Sequence, residues 1–179
     1  MLVLIEGVDC TGKSTLAAAL AESMGDSCET RHYSAPTRSS GIGEYTDDLQ
    51  DYVPGKDQHT VCDRYHWGEL VYGPMYRGES ILKNDGWTYV EQFLRLRGAV
   101  MVYLWNTRLE LEHRHQELGE SFLELEHIGQ VQGEYEYLVR HTTLPTLEYR
   151  DPTRKNVKEI LQVASVFERN AALGWGRRR

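Results

Sequence analysis

The 179-residue sequence has little of what a secreted or membrane-bound chain requires. Its three cysteines, Cys10, Cys28 and Cys62, are an odd number without paired spacing. A disulfide framework is therefore excluded, and no His/Cys cluster stands at zinc-site intervals. No apolar run is long enough for a bilayer, and no basic leader separates Met1 from LVLIEG, so a cytoplasmic protein without a membrane partner is expected. Positive charge is also short. Twenty Lys and Arg stand against 27 Asp and Glu, a formal net charge of −7, so no global field gathers nucleic acid and any grip on phosphate must be local. Repeats, low-complexity tracts and linkers are missing, and the length suits one domain over residues 1–179 with its own core.

What is present alternates between two periodicities. Leu2-Val3-Leu4-Ile5 is apolar without alternation, as in a parallel strand covered on both faces, and helix is expected from Gly12 to about Met24. A second strand is read over 28–34, then a turn-rich stretch at 35–43 and a helix near 43–53 stopped by Pro54-Gly55. A third strand covers 59–62. Helical pieces over 66–97, broken at Gly73-Pro74 and Asn84-Asp85-Gly86, are closed by Gly98. A buried strand at 99–105 precedes a helix at 107–118, an interruption at Gly119-Glu120-Ser121 and a helix to about Arg140. A strand within 144–149 and a helix from about 153 to 173 precede a frayed GWGRRR tail. The alternation predicts an α/β fold whose five-stranded parallel sheet carries helices on both faces.

Residues 7–14, GVDCTGKS, match GxxxxGK[ST]. Placed between a strand and a helix, the match reads as a phosphate-binding loop rather than a chance glycine turn. Gly7 and Gly12 let backbone amides curl around a phosphate, Lys13 adds a mobile cation, and Ser14 offers a hydroxyl to magnesium. Cys10, Thr11 and Thr15 complete the expected ATP-binding set. At the end of a neighbouring strand, Asp63 can hold magnesium through water and Arg64 can neutralise a second phosphate facing the ATP; an ordinary surface ion pair is the alternative. Asp9, an acid among phosphates, must turn towards a hydroxyl donor or a cation. The segment 66–78 gathers Trp67, Tyr72 and Tyr76, which suit base stacking and core packing equally. Arg38 sits in a polar turn where composition does not distinguish it from a solvated arginine.

The combination LIEGVDCTGKST, then PTRSSGIGE, then CDRY followed by LVYG, resembles thymidylate kinases and the wider nucleoside monophosphate kinase family, the short phage proteins of that type most of all. The resemblance implies a P-loop NTPase three-layer sandwich with a helical lid at about 115–125. It implies transfer of the ATP γ-phosphate to a deoxynucleoside monophosphate, thymidylate or a modified pyrimidine relative, with magnesium between the β- and γ-phosphates. Asp9 would contact the acceptor sugar, Arg38 and Arg64 its phosphate, and Tyr72 the nucleoside, with Tyr65 and Trp67 as further substrate-binding residues.

Two departures from that family matter. Only about ten residues separate Leu49 from Val61, where the family inserts a helix that stacks on the base. Residues 115–139 contain six Glu and no Lys or Arg, and Cys10 stands where some relatives place arginine. Both usual sources of the catalytic cation are absent, which leaves Arg108 and Arg114. Arg114 is assigned, with Lys13, Asp63 and Arg64, to catalysis; a helical pair with Glu110 is its alternative fate. Two other readings stay open. One is a kinase acting on a nucleoside, a nucleic-acid end or a hydroxymethylated base in DNA, against which the acidic net charge argues. The other is a nucleotide-binding switch without efficient transfer, against which Asp63-Arg64 argues. ATP and a nucleotide acceptor are the expected partners, with a homodimer left open.

Overall fold

The computed structural model describes residues 1–34, 42–82, 84–118 and 123–176. Five strands, β1 (Leu2–Gly7), β2 (Cys28–His32), β3 (His59–Asp63), β4 (Val100–Leu104) and β5 (Thr146–Tyr149), form one sheet in the order β2-β3-β1-β4-β5. Every pairing is parallel, with Ile5 opposite Asp63, His32 opposite Asp63 and Gly7 opposite Leu104. The strand order reverses at β1, and in open α/β sheets ligands bind beyond the carboxyl ends at such a switch point.

Helices α1 (Lys13–Met24), α2 (Ile42–Thr46), α3 (His66–Arg77), α4 (Asn84–Leu96), α5 (Arg108–Leu118), α6 (Ile128–His141) and α7 (Arg154–Gly176) cover both faces. Successive strand residues point to opposite faces, which divides the core in two. Val3, Ile5, Val100 and Val102 pack with Leu16 and Leu20 of α1 and Ile160 and Ala164 of α7. Leu2, Leu4, Met101 and Tyr103 pack with Trp67 of α3, Leu94 of α4 and Tyr135 of α6. The result is the three-layer sandwich of a P-loop NTPase. No helix among the described residues is long and apolar enough to cross a membrane.

Several boundaries differ from the sequence reading. The helix expected near 43–53 is only α2 followed by a 3₁₀ turn, Asp47–Leu49. The break expected at Gly73-Pro74 is absent, and α3 runs through it to Gly78, whose φ of 78° ends the helix. Gly73 is needed for packing rather than bending, because a Cβ there would lie 2.5 Å from Glu69 Oε1. The buried Glu69 accepts hydrogen bonds from Arg77, from Ser80 Oγ at 3.2 Å and from the Ile81 N–H at 2.8 Å. Asn84-Asp85-Gly86, read as a break, opens α4. The helix ending near Arg140 begins as a 3₁₀ turn, Leu125–His127. At the other end, α7 continues through the first half of the tail expected to fray. Residues 119–122 of the expected lid lie outside the described residues.

Glu91 of α4 ties the far side of this layer together. It is 2 % exposed and accepts hydrogen bonds from Trp87 Nε1 at 2.8 Å, Thr142 Oγ1 at 2.6 Å, and the N–H and Oγ1 of Thr143 at 2.7 and 2.8 Å. His66 Nε2 lies 3.7 Å away. Burial alone would raise its pKa, but His66 and the threonine donors hold it down at about 2. A depressed carboxylate stabilises the fold above its ordinary value of 4.5 and loses that contribution as pH falls towards 2. Glu91→Ala is expected to cost about 2 kcal/mol at neutral pH, since it strands the buried His66 and unpairs the partly buried Trp87 and Thr142. Thermal melts should show the wild type losing stability more steeply than Glu91→Gln below pH 4.5; parallel curves would contradict the assignment.

Candidate active site

The central strand ends at Gly7, where φ is 147° and a Cβ would collide with the Leu104 carbonyl. The chain then turns with Cys10 at φ 66° and Gly12 at φ 89°, left-handed values that let α1 start at Lys13. Thr11 Oγ1 donates to the Val8 carbonyl at 2.8 Å and closes the turn. No side chain caps α1, so its first amides remain directed at whatever the loop holds.

Lys13 is buried, and its Nζ donates to the carbonyls of Gly7 at 2.9 Å and Val8 at 2.8 Å, with Asp9 at 3.7 Å. The lysine is thus held by the loop rather than free. Burial, then Arg64, push its pKa down to about 8, against the pull of Asp9, Glu6 and Asp63. It stays largely cationic at neutral pH yet is poorly solvated, a charge that gains from an arriving anion.

Across the loop, Ser14 Oγ donates to Asp63 Oδ2 at 2.6 Å, and His32 Nδ1 is 3.1 Å from the same oxygen. Asp63 Oδ1 is buried with no hydrogen-bond partner among the described residues. A hydroxyl and a carboxylate in contact, with one anionic oxygen unanswered, fit an oxygen-seeking cation such as magnesium.

Arg64 follows with φ 66°. Its N–H donates to the Ile5 carbonyl at 2.9 Å, its guanidinium pairs with Asp9, and the guanidinium carbon lies 5.8 Å from the Tyr72 ring centroid. Asp9 therefore faces two cations, as an acid inside the loop must. Glu6, which the sequence reading passed over, fixes this turn from below. Fully buried, it accepts the N–H groups of Tyr65 at 2.8 Å, Trp67 at 3.0 Å and Gly68 at 3.2 Å, and the Tyr135 hydroxyl at 3.3 Å. Its only sequence signal was an acid ending an apolar run. His32 was also missed; only its strand register against Asp63 marks it.

Two expected substrate contacts move into the core. Trp67 is fully buried, edge-on to His66 and tilted against Tyr103, and Tyr65 donates its hydroxyl to the Tyr45 carbonyl. Helical spacing explains the exchange, because α3 turns Trp67 and Val71 inward and Tyr72 towards Arg64, with Tyr76 one turn on beside Tyr72. Tyr72 and Tyr76 stack with centroids 6.2 Å apart, and Tyr76 is half exposed. Cys10 is partly exposed on the loop and Thr15 is exposed on α1. Arg38 lies outside the described residues. Beside the end of β2, a cleft of about 600 Å³ is lined by His32, Tyr33, Ser34, Glu44, Tyr45 and Asp48 among others.

Arg114 reaches the loop from α5. Its Nη1 donates to the Cys10 carbonyl at 3.3 Å and its Nη2 to Asp151 Oδ1 at 2.5 Å. The helical pair with Glu110 does not form, since Glu110 takes Arg150 instead. Arg108 pairs with Glu112 at 2.7 Å on the surface.

No known protein-family model matches the chain. The SPβ prophage-derived uncharacterized protein YorR of Bacillus subtilis is 25% identical over 154 residues, 83% of this chain and 87% of that protein. The crystal structure of YorR in complex with phosphorylated GDP is similar with a TM-score of 0.75 at 22% identity, over 93% of this chain and 96% of that one. Polyphosphate kinase 2 from Arthrobacter aurescens is similar at 0.64 and 16% identity, over 97% and 68%. Deoxyadenosine kinase from M. mycoides, with products dCMP and dCDP bound, is similar at 0.52 and 15% identity, over 90% and 96%. The chain shares the fold of these proteins, the latter two of them kinases.

The low Lys13 pKa carries a testable sign. A phosphate ligand needs the protonated lysine, so metal-free ADP should bind more weakly once pH rises through about 8, by up to about tenfold per unit. Calorimetric titration of the wild type across that range checks it. Lys13→Ala should bind weakly throughout and without this pH dependence.

Proposed function

We propose that the protein is an ATP-dependent nucleoside monophosphate kinase, acting on a deoxynucleotide such as thymidylate or a modified pyrimidine relative. The observation that carries this reading is the meeting of Lys13, Arg64 and Arg114 around one loop beside the Ser14–Asp63 pair. Phosphoryl transfer asks the protein for little besides positioning and positive charge. In the reaction, the bond from the γ-phosphorus to the β–γ bridging oxygen breaks and a bond to an acceptor phosphate oxygen forms, releasing ADP and a nucleoside diphosphate. Lys13 and the loop amides hold the donor phosphates. Arg64, with Arg38, holds the acceptor phosphate, and Arg114 supplies charge from the α5 side. Magnesium held by Ser14 and Asp63 would neutralise the β- and γ-oxygens. Tyr72 and Tyr76 offer an apolar wall for the acceptor nucleoside.

A phosphate acceptor is favoured over a hydroxyl one because it needs no general base. Asp9 is committed to Arg64 and Lys13, Asp63 to Ser14 and His32, and Glu6 to three backbone amides. Among the described residues the one loop carboxylate oxygen left unpaired is Asp63 Oδ1, which this reading gives to magnesium, so no carboxylate remains to take a hydroxyl proton. The guanine nucleotide named in the YorR structure supports a nucleotide ligand in general and does not bear on the pyrimidine.

Transfer of label from γ-labelled ATP with magnesium, tried on nucleoside monophosphates, nucleosides and oligonucleotides, tests the proposal. Label should move to a deoxynucleoside monophosphate, thymidylate or a modified pyrimidine foremost. Label found only on nucleosides, on DNA or as free phosphate would refute it. Lys13→Ala should lower the rate at least about 100-fold. Arg114→Ala should lower kcat and kcat/KM together by about 100-fold, as loss of a transition-state cation does; an unchanged kcat would remove Arg114 from catalysis.

A further inference from the structure

Asp151 follows β5 in the turn to α7, and its backbone adopts φ 49°, which aspartate tolerates better than most residues. Its Oδ1 accepts from two sides, from Arg114 Nη2 at 2.5 Å and from Asn106 Nδ2 at 3.2 Å. Asn106 is fully buried at the end of β4. Its Oδ1 accepts from Arg150 Nε at 3.3 Å and its carbonyl from Gln132 Nε2 at 2.7 Å. The carboxylate that meets Arg114 is therefore anchored through a buried amide to β4 and α6. Arg114 holds the Asp151 carboxyl below its ordinary value, with Asn106 adding to the effect.

Arg114 in turn holds the Cys10 carbonyl at 3.3 Å. In a trans peptide the carbonyl and the following N–H point in opposite directions. An arginine that draws the Cys10 carbonyl towards α5 therefore turns the Thr11 N–H to the other side of the loop. An isolated ion pair this exposed would contribute little. Here one guanidinium joins an anchored carboxylate to a loop peptide in a left-handed conformation, so the pair sets geometry.

Taking the loop to be the ATP site, as proposed above, we infer that Asp151 is a positioning residue for the donor phosphates: through Arg114 it fixes the Cys10–Thr11 peptide and keeps the guanidinium at the rim of the loop. The chain thus replaces a cation mounted on the lid with one braced by the β5–α7 turn. Asp151 touches no substrate in this account, and its effect vanishes when Arg114 is gone.

A double-mutant cycle over Asp151→Ala and Arg114→Ala tests this, read both as kcat/KM for ATP and as affinity for ADP by calorimetry. Asp151→Ala should weaken both by about tenfold, and should add no further loss in the Arg114→Ala background. Asp151→Asn, which keeps the side-chain shape and removes the charge, should show a smaller loss and the same dependence on Arg114 at an unchanged melting temperature. Values within twofold of wild type for Asp151→Ala, or losses that multiply with those of Arg114→Ala, would overturn the inference. A wild type that binds ADP but transfers phosphate to no acceptor would refute the kinase reading, while the calorimetric cycle would still decide the brace.

Discussion

Glu6, next to last in the central strand, carries a carboxylate from which water is excluded, and such a group is tolerated only when its lone pairs are answered. Three backbone amides at the start of α3 and the hydroxyl of Tyr135 answer them. Burial raises the carboxyl pKa, while His66 and the amides pull it back. The strand that opens the P-loop is thereby bonded to the helix that follows Asp63-Arg64, and α6 is drawn in from the far side. Without that bond the Arg64 turn, already at φ 66°, would have little to hold it beneath the loop.

The charge pattern above this anchor is local. A chain of net charge −7 concentrates Lys13, Arg64 and Arg114 on one loop and spaces them with Asp9 and Asp151. Asp9 engages two cations that would otherwise repel one another, and its burial limits the screening that surface pairs suffer, while Asp151 holds Arg114 at the more exposed rim. An arriving phosphate can take over cations that are already placed. That is the electrostatic preorganisation on which phosphoryl transfer depends.

The layer structure was legible because apolar runs such as Leu2–Ile5 and Val100–Leu104 are short and bounded by glycine or turn residues, which favours a doubly covered strand over a buried helix. The glycine spacing of residues 7–14 placed the loop, and its position placed Asp63. Legibility failed where a tertiary contact decides. Gly73-Pro74 reads as a break, yet the glycine is there to leave room for Glu69 and the helix continues. Trp67 and Tyr72 look alike in sequence, and only the rotation of α3 sends one into the core and the other towards Arg64. Arg114 could be singled out by elimination, but its partner lies far along the chain in the turn after β5, where no local pattern announces it. Glu6 was hidden by standing within an apolar strand, where a carboxylate is unexpected until its amide donors are seen.

The central claim is that a donor at the P-loop and an acceptor phosphate at Arg64 occupy one continuous site. A bisubstrate analogue joining adenosine and thymidine through five phosphates tests it most directly. Titrated with magnesium, it should bind one to one and at least about 100-fold more tightly than ADP or thymidylate alone, as a ligand spanning both halves of a transfer site does. Binding no tighter than ADP would mean that no acceptor site faces the loop, and would contradict the account.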